Sequence, residues 1–424
     1  MLNINTIRED SDSVIERLKV RNFDAESLIK ELLDTDNQRK KVQSENDKML
    51  AEQKQVSKSI GQLFKEGKND EGNAARQKTA ELKNKIQENK HKLKELNDKQ
   101  IHLLSEIPNI PHESVPPGKS DADNMEVSRS GDIQIPEIKK PHWETIRDLD
   151  IIDFDLGNKI TGAGFPLYKG KGAKLQRALI NFFLDEGEKA GYNEVLPPLL
   201  VNEASGFGTG QLPDKDGQMY EVKEDKFFLI PTAEVPVTNI YRDVILKHEE
   251  LPVKQMAYSL CFRREAGSWG SDVRGLNRLH QFDKVEIVRI EQPAKAYDAL
   301  EQMNKHVGSL LEKLELPYRI MRLCGGDLGF TAALTYDFEV FAAGQDKWLE
   351  VSSVSNFEDY QANRLKLRYR DPKTNKPQTA HTLNGSALAL PRIMAALIEN
   401  NFTQAGIVIP EVLHNYTGFK IIEK

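Results

Sequence analysis

The chain has 424 residues, 39% of them hydrophobic and 29% charged, which suits a soluble protein of two or three domains and excludes a disordered or fibrous class. No apolar run reaches membrane-spanning length, and the opening residues MLNINTIREDSDSVIERLKV mix charged and apolar residues where a secretory signal would be continuously apolar, so the expectation is a cytoplasmic protein. The net charge is -6, yet residues 36 to 106 hold 16 basic and 12 acidic residues, the asymmetry expected if one appendage meets a polyanion.

All 19 prolines lie at or after Pro108, so the first quarter of the chain is free of the strongest helix breaker. Within it a 4-3 spacing runs through Leu28, Leu32, Thr35, Arg39, Val42, Asn46, Met49, Gln53, Val56, Ile60 and Leu63, which is a heptad seam. A second seam runs through Ala75, Thr79, Leu82, Ile86, Asn89, Leu93, Leu96, Gln100, Leu103 and Ile107. Between them KEGKNDEGN, with Gly67 and Gly72 bracketing charged residues, predicts a turn, and the whole reads as an antiparallel helical hairpin. A spacer or dimerisation coiled coil is the competing reading, although polar Thr35, Arg39, Asn46 and Gln53 make a poor permanent dimer seam.

The proline-rich stretch IPNIPHESVPPGKSDADN then marks a boundary, giving an N-terminal domain over 1–107 with its hairpin at about 28–107, a linker over 108–130 and a second domain over 131–424. Beyond it short β-rich runs, KFFLIPT, KQMAYSL, KVEIVRI, YRIMRL, FEVFAAG and WLEVSSVSN, alternate with turns. Helical segments KLQRALINFFLDEGEKAG, PAKAYDALEQMNKHVGSLLEKL and PRIMAALIENN interrupt them. Strands joined mostly by short connections predict an antiparallel sheet with helices gathered on a face, an α+β fold.

The stretch SLCFRREAGSWGSDVRGLNRLHQFD concentrates arginines and has no lysine. Alternation ends a strand near Phe262 and resumes through LNRLHQFDKVEIVRI, so it reads as a hairpin with a long arginine-bearing tip. Arg263 at the root is placed for bidentate contact with phosphate or carboxylate, whereas Arg274 and Arg278 beyond the glycines would reach only a large or mobile partner. A surface hairpin with ordinary salt bridges is the plain alternative. In LPRIMAALIEN, Pro391 suits the first helical position and Arg392 falls in the first turn, where the helix dipole repels a cation and structure gains nothing obvious.

With these residues in view the chain resembles the class II aminoacyl-tRNA synthetases, and specifically the bacterial type of seryl-tRNA synthetase. The resemblance spans nearly the whole chain in order: the hairpin arm, GYNEVLPPLL around Pro198, TGQLP at 209–213, PTAE at 231–234, FRREAG with HQFDKVE, EVSSVSN at 350–356, and NGSALALPRIMAALIENN. Each motif is weak alone; together and in sequence they are specific. The resemblance implies ATP-dependent activation of L-serine to seryl-adenylate and transfer to the 3′ end of tRNA(Ser), with tRNA(Sec) as an open second acceptor, by a homodimer joined near Pro198.

The same resemblance implies the residue roles. Arg263 would bridge the serine carboxylate and the α-phosphate, and Arg392 would hold the far phosphates. Glu265 would meet the adenine edge, Phe282 would stack on adenine, and Arg264, Val351 and Ser352 would complete the ATP site. Glu350 and Ser353 would supply oxygen ligands to Mg2+, and no zinc is expected. Thr232, Ala233, Glu234, Arg263, Glu286, Asn384 and Ser386 would bind serine; for Thr232 a helix cap and for Glu286 a salt bridge on the face shared with Lys284 are the ordinary alternatives. The arm would grip tRNA through its backbone, with Lys40, Lys41, Lys54, Lys58 and Arg76 as contacts and Arg274 and Arg278 approaching the acceptor end. Trp269 and Ser271 depart from the family's usual small and basic residues. Two other readings compete: a homologue that loads a carrier protein, which would lack the arm, and a non-catalytic paralogue, which would have lost Arg263, Glu265, Glu350 or Arg392.

Overall fold

Helices α1 (Ile4–Glu9) and α2 (Ser11–Lys19) precede two long helices, α3 (Glu26–Lys65) and α4 (Asn69–Glu106), that follow the heptad spacing. The computed structural model describes residues 1–215, 217–265 and 274–423, and these cluster as residues 1–19 with 23–108 and residues 20–22 with 109–424. In the first unit every predicted seam position from Leu32 onward is buried or half-buried, on both helices. Cross-helix contacts step forward along α3 as they step back along α4, Glu31 with Lys99, Met49 with Asn89 and Glu52 with Lys78, so the hairpin is antiparallel. The turn is tighter than the sequence suggests. Gly72 lies inside α4, where a Cβ would stand 2.8 Å from the Phe64 ring, and the Arg76 guanidinium covers that ring at 4.4 Å.

One side chain that the heptad pattern does not single out governs the base of the hairpin. Asp36 has a side chain only 1% exposed and lies between helices. Its carboxylate accepts from Arg8 of α1 at 2.6 and 2.7 Å, from Arg39 at 3.1 Å and from Gln100 of α4 at 2.9 Å, and pairs with Lys40 at 3.1 Å. Burial alone would raise its pKa, but these donors together hold it well below the usual carboxylate range.

The second unit is built on one eight-stranded sheet: β1 (Met125–Ser130), β2 (Asn193–Glu194), β3 (Val253–Phe262), β4 (Gln281–Glu291), β5 (Tyr318–Arg322), β6 (Leu334–Ala342), β7 (Lys347–Asn356) and β8 (His381–Ala389). The order is β1-β5-β6-β7-β8-β4-β3-β2, and every pairing is antiparallel except β2 with β3. Residues 125–130, read from the sequence as linker, are therefore an edge strand. Three helices with apolar stripes, α5 (Gly170–Lys189), α7 (Ala296–Lys313) and α8 (Leu390–Asn400), pack on the sheet; the short α6 (Glu234–Asn239) begins at the glutamate of PTAE.

Alternation explains which residues go where. On β4, Val285 and Ile287 enter the main core with Leu383 and Ala387 of β8 and with Phe182, Met303 and Met394 from the three helices. The intervening Phe282, Lys284, Glu286, Asn384 and Ser386 line a cavity on the other face.

Asp36→Ala is expected to leave Arg8 and Arg39 partly buried without a counter-charge and to cost about 2 to 3 kcal/mol, less than for a fully buried pair because both arginines keep a quarter of their surface. Because the folded carboxyl titrates below its unfolded value, this contribution is present above about pH 4 and is lost as pH falls through the folded pKa. Amide hydrogen exchange in α1, α3 and α4, compared between wild type and variant across pH, checks both statements.

Candidate active site

The cavity has a volume of about 780 Å³ and gathers side chains from many separate stretches of the sequence. Thr232 and Glu234 come from the start of α6, Arg263 and Glu265 from just past β3, and Phe282, Lys284 and Glu286 from β4. Asp337, Glu339, Glu350 and Ser353 come from β6 and β7, and Asn384, Ser386 and Arg392 from β8 and the first turn of α8.

Two bulges decide this gathering. Between β6 and β7 the register shifts so that Phe338 faces Ser352 but Glu339 faces Glu350. Val351 is the extra residue. Residues 350 and 353 would point to opposite faces of a regular strand; with one residue inserted, both turn to the cavity, opposite Glu339 and Asp337. A second shift, between the pairs Glu286 with Ser386 and Lys284 with Ala389, re-phases the end of β8 and delivers Ala389, Pro391 and Arg392 to the same cavity.

At one end of the cavity buried polar groups form a closed set. Lys284 donates to Glu286 Oε2 at 2.6 Å and to Thr232 Oγ1 at 2.8 Å, with all three residues 5% exposed or less. Glu286 also accepts from Asn384 Nδ2 at 3.0 Å and Ser386 Oγ at 3.4 Å. Glu234 accepts from Gln361 Nε2 at 2.6 Å. Two carboxylates face one lysine, and burial together with the neighbouring Glu286 pushes the Glu234 carboxyl up to about 7, against the opposing effects of Gln361, Lys284 and Arg263.

Farther along, the Arg263 guanidinium lies 5.3 Å from the Phe282 ring centre and donates to the Pro231 carbonyl at 3.4 Å. Its backbone is pinned to His280, whose carbonyl accepts the Arg263 N–H at 2.9 Å. Glu265 takes a left-handed backbone with φ of +48°, uncommon for a residue with a side chain. Arg392 donates to the Glu350 carbonyl at 2.8 Å and the Asn277 carbonyl at 2.9 Å, and its Nη1 lies 3.5 Å from the Glu350 carboxylate. Structure therefore does gain from Arg392, which ties α8 to β7 and to the turn at Gly275–Asn277.

The acidic wall suits a hard cation. Glu350 and Ser353 share it with Asp337, whose Oδ1 is buried with no hydrogen-bond partner among the described residues. Burial and the nearby Glu350 hold the Asp337 carboxyl well above its ordinary range, against a hydrogen bond from Ser353. An oxygen-only set with an orphaned carboxylate oxygen fits Mg2+. Among the described residues no cluster of three or more His, Cys, Asp or Glu has metal-holding geometry.

Most of the residues expected from sequence meet in this cavity: Thr232, Glu234, Arg263, Glu265, Phe282, Glu286, Glu350, Val351, Ser352, Ser353, Asn384, Ser386 and Arg392. Others do not. Ala233 is fully buried in a cluster with Val237, Ala257 and Val288. Arg264 is exposed beside the Tyr220 ring. Arg278, expected to reach outward with Arg274, instead pairs with Glu265 at 2.5 Å and lines the cavity, while Arg274 is exposed. On the arm Lys40 is engaged with Asp36 and Arg76 with Phe64; Lys41, Lys54 and Lys58 are exposed. Trp269 and Ser271 lie outside the described residues. The sequence reading did not assign Asp337 or Gln361 to the site, and gave Lys284 only as a salt-bridge partner. Lys284 carried a signal as a lysine in a strand two residues from Glu286; Gln361 carried none.

Comparison with known proteins agrees with this geometry. Residues 1–111 match the model of the seryl-tRNA synthetase N-terminal domain, and residues 219–401 that of the tRNA synthetase class II core domain (G, H, P, S and T). A serine–tRNA ligase of Salinibacter ruber is 49% identical over 99% of this chain and 98% of its own, and one of Clostridium tetani 45% identical over 100% of both. Among solved structures, a seryl-tRNA synthetase from Pyrococcus horikoshii complexed with ATP superposes with a TM-score of 0.92 at 34% identity, covering 100% of this chain and 99% of that one.

Because the Glu234 carboxyl titrates near 7 when folded and near 4.5 when unfolded, its contribution to stability is fully present below about pH 4.5 and is lost as pH rises through 7. Removing it by Glu234→Gln is expected to flatten the pH dependence of unfolding by about 3 kcal/mol between pH 5 and pH 8. Denaturant titrations of both proteins across that range measure it.

Proposed function

The chain belongs to the seryl-tRNA synthetase family of class II aminoacyl-tRNA synthetases, and on that footing we propose how its cavity and its arm divide the family's reaction. The protein is a serine–tRNA ligase: it activates L-serine with ATP to seryl-adenylate and passes the seryl group to tRNA(Ser). The observation that carries the residue assignment is the pairing, in one cavity, of a closed polar floor at Thr232, Glu234, Lys284 and Glu286 with two arginines and an acidic wall.

In the first step a serine carboxylate oxygen attacks the α-phosphorus in line, the bond to the bridging oxygen breaks, and pyrophosphate leaves with the electron pair. The nucleophile is already an anion, so no general base is needed; the requirement is alignment and positive charge where phosphate charge builds. Arg263, rooted at the strand end and resting near Phe282, bridges the carboxylate and the α-phosphate. Phe282 stacks on adenine, Glu265 meets its edge, and Arg392 meets the outer phosphates. Glu350 and Ser353, with Asp337 beside them, would hold Mg2+, which would supply further positive charge to the phosphates.

Serine enters the polar floor. The floor carries two carboxylates and one ammonium, and the serine ammonium supplies the missing cation beside Glu234. Glu286, Asn384, Ser386 and Thr232 offer the donors and acceptors that a hydroxyl satisfies; alanine would leave them buried and unpaired. In the second step a terminal ribose hydroxyl of the tRNA attacks the seryl carbonyl and AMP departs. The arm holds the backbone of the tRNA through the side chains of Lys41, Lys54, Lys58 and its other exposed lysines. A homodimer is supported by exposed apolar side chains near Pro198, with Leu196 84% and Leu200 43% exposed, and Phe227 opposite Asn202 in the adjoining ladder. No helix among the described residues is long and apolar enough to cross a membrane.

ATP–pyrophosphate exchange over a panel of amino acids is expected to occur with serine alone, followed by charging of tRNA from total RNA; exchange without charging would favour a carrier-protein acceptor. Deleting residues 36–106 is expected to abolish charging and leave exchange largely intact, and equal loss of both would refute the division of labour. Arg263→Lys keeps the charge but loses the planar fork, and exchange is expected to fall by about 100- to 1,000-fold.

A further inference from the structure

Helix Tyr360–Leu365 contributes no residue to the cavity wall, yet it meets the serine-binding floor from behind through Gln361. This side chain is 1% exposed, and both of its amide hydrogens and its amide oxygen are engaged. Nε2 donates to Glu234 Oε1 at 2.6 Å and to the Thr209 carbonyl at 3.2 Å, while the Thr382 hydroxyl donates to Oε1 at 2.7 Å. The arrangement admits one orientation. A backbone carbonyl and a carboxylate can only accept, so the amide nitrogen must face both, and the amide oxygen must then take the Thr382 proton. Thr209 and Thr382 are 0% and 1% exposed, so water does not compete. Thr209 opens TGQLP, a motif with no role in the chemistry above; its Gln211 lines the cavity, and Arg364 of the same helix donates to the Phe207 and Leu212 carbonyls on either side.

We propose that Gln361 is the positioning residue for serine recognition: oriented by Thr382 and Thr209, its amide donates to the Glu234 carboxylate and aims it at the substrate ammonium. The inference rests on the assignment of Glu234 to that ammonium. The groups bearing on the Glu234 charge are Glu286 and Lys284 from β4, Arg263 beyond β3, and Gln361 from behind. Of these Gln361 is neutral, so it acts on the carboxylate by a directed hydrogen bond, whose strength to a charged acceptor is about 1.5 to 3 kcal/mol, equivalent to about 10- to 100-fold in affinity.

The test uses the full-length enzyme and the pH profile of kcat/KM for serine in pyrophosphate exchange, which reports groups of the free enzyme. The wild-type profile is expected to fall on the acid side of about pH 7, as Glu234 takes up a proton. Gln361→Met keeps volume and burial but removes the amide. It is expected to raise KM for serine about 10- to 100-fold, to leave KM for ATP within about 2-fold, and to move the acid limb to higher pH. Thr382→Val, which removes only the donor that orients the amide, is expected to shift the same two quantities in the same direction by less, and decides the matter if Gln361→Met does not fold. A variant that loses thermal stability while its acid limb stays in place, or that raises both KM values alike, overturns the proposal. Glu234→Gln separates the two levels: if it leaves KM for serine unchanged, the ammonium assignment itself is wrong, whereas a large effect of Glu234→Gln with none from Gln361→Met or Thr382→Val removes Gln361 alone.

Discussion

The active cavity depends on one constraint, the two-residue period of an antiparallel sheet, and on the two places where that period is broken. A regular strand sends alternate side chains to opposite faces, so β4 can bury Val285 and Ile287 under helices while presenting Phe282, Lys284 and Glu286 to the cavity. β7 must present Glu350 and Ser353 together, which their odd separation forbids in a regular strand. The extra residue Val351 removes the conflict, and the shift near the end of β8 does the same for Ala389 and the start of α8. Chemistry that needs an acidic wall and an arginine on one side of a sheet is obtained by two local register changes.

Charge is handled differently in the two units. At the base of the arm Asp36 meets an excess of donors, two arginines and a lysine, and is held ionised at almost complete burial. In the cavity floor the imbalance has the opposite sign: Glu234 and Glu286 share one lysine, and Glu234 is left poised near neutrality. The first arrangement stabilises a fold and the second leaves a position for a cation from outside. A buried set of polar groups with one charge missing is costly empty and favourable when filled, which gives a small polar substrate its selectivity.

Arg392 illustrates how a functional reading and a structural one can both hold. The sequence placed a cation in the first turn of a helix, against the dipole, with no evident gain. In the structure its guanidinium satisfies the Glu350 and Asn277 carbonyls, so the same group that faces the cavity also fastens three segments to one another. Arg278 moves the other way, from an outward-reaching loop residue to a partner of Glu265 in the cavity wall.

The sequence by itself determined what repeats or alternates locally. Both long helices and their seam, six strands, three helices and most of the cavity residues were legible because heptad and two-residue periods are written in neighbouring positions. β8 escaped because Asn384, Gly385 and Ser386 interrupt the apolar alternation for the sake of the site, and β1 because an edge strand exposed on both faces carries no pattern at all. What only the tertiary structure decided are the contacts between distant segments: Arg8 with Asp36, Arg278 with Glu265, and Gln361 locked between Thr209, Glu234 and Thr382. A hydrogen bond between two segments that the fold brings together leaves no periodicity in either of them, and at Gln361 it matters because packing has excluded water from the space between them.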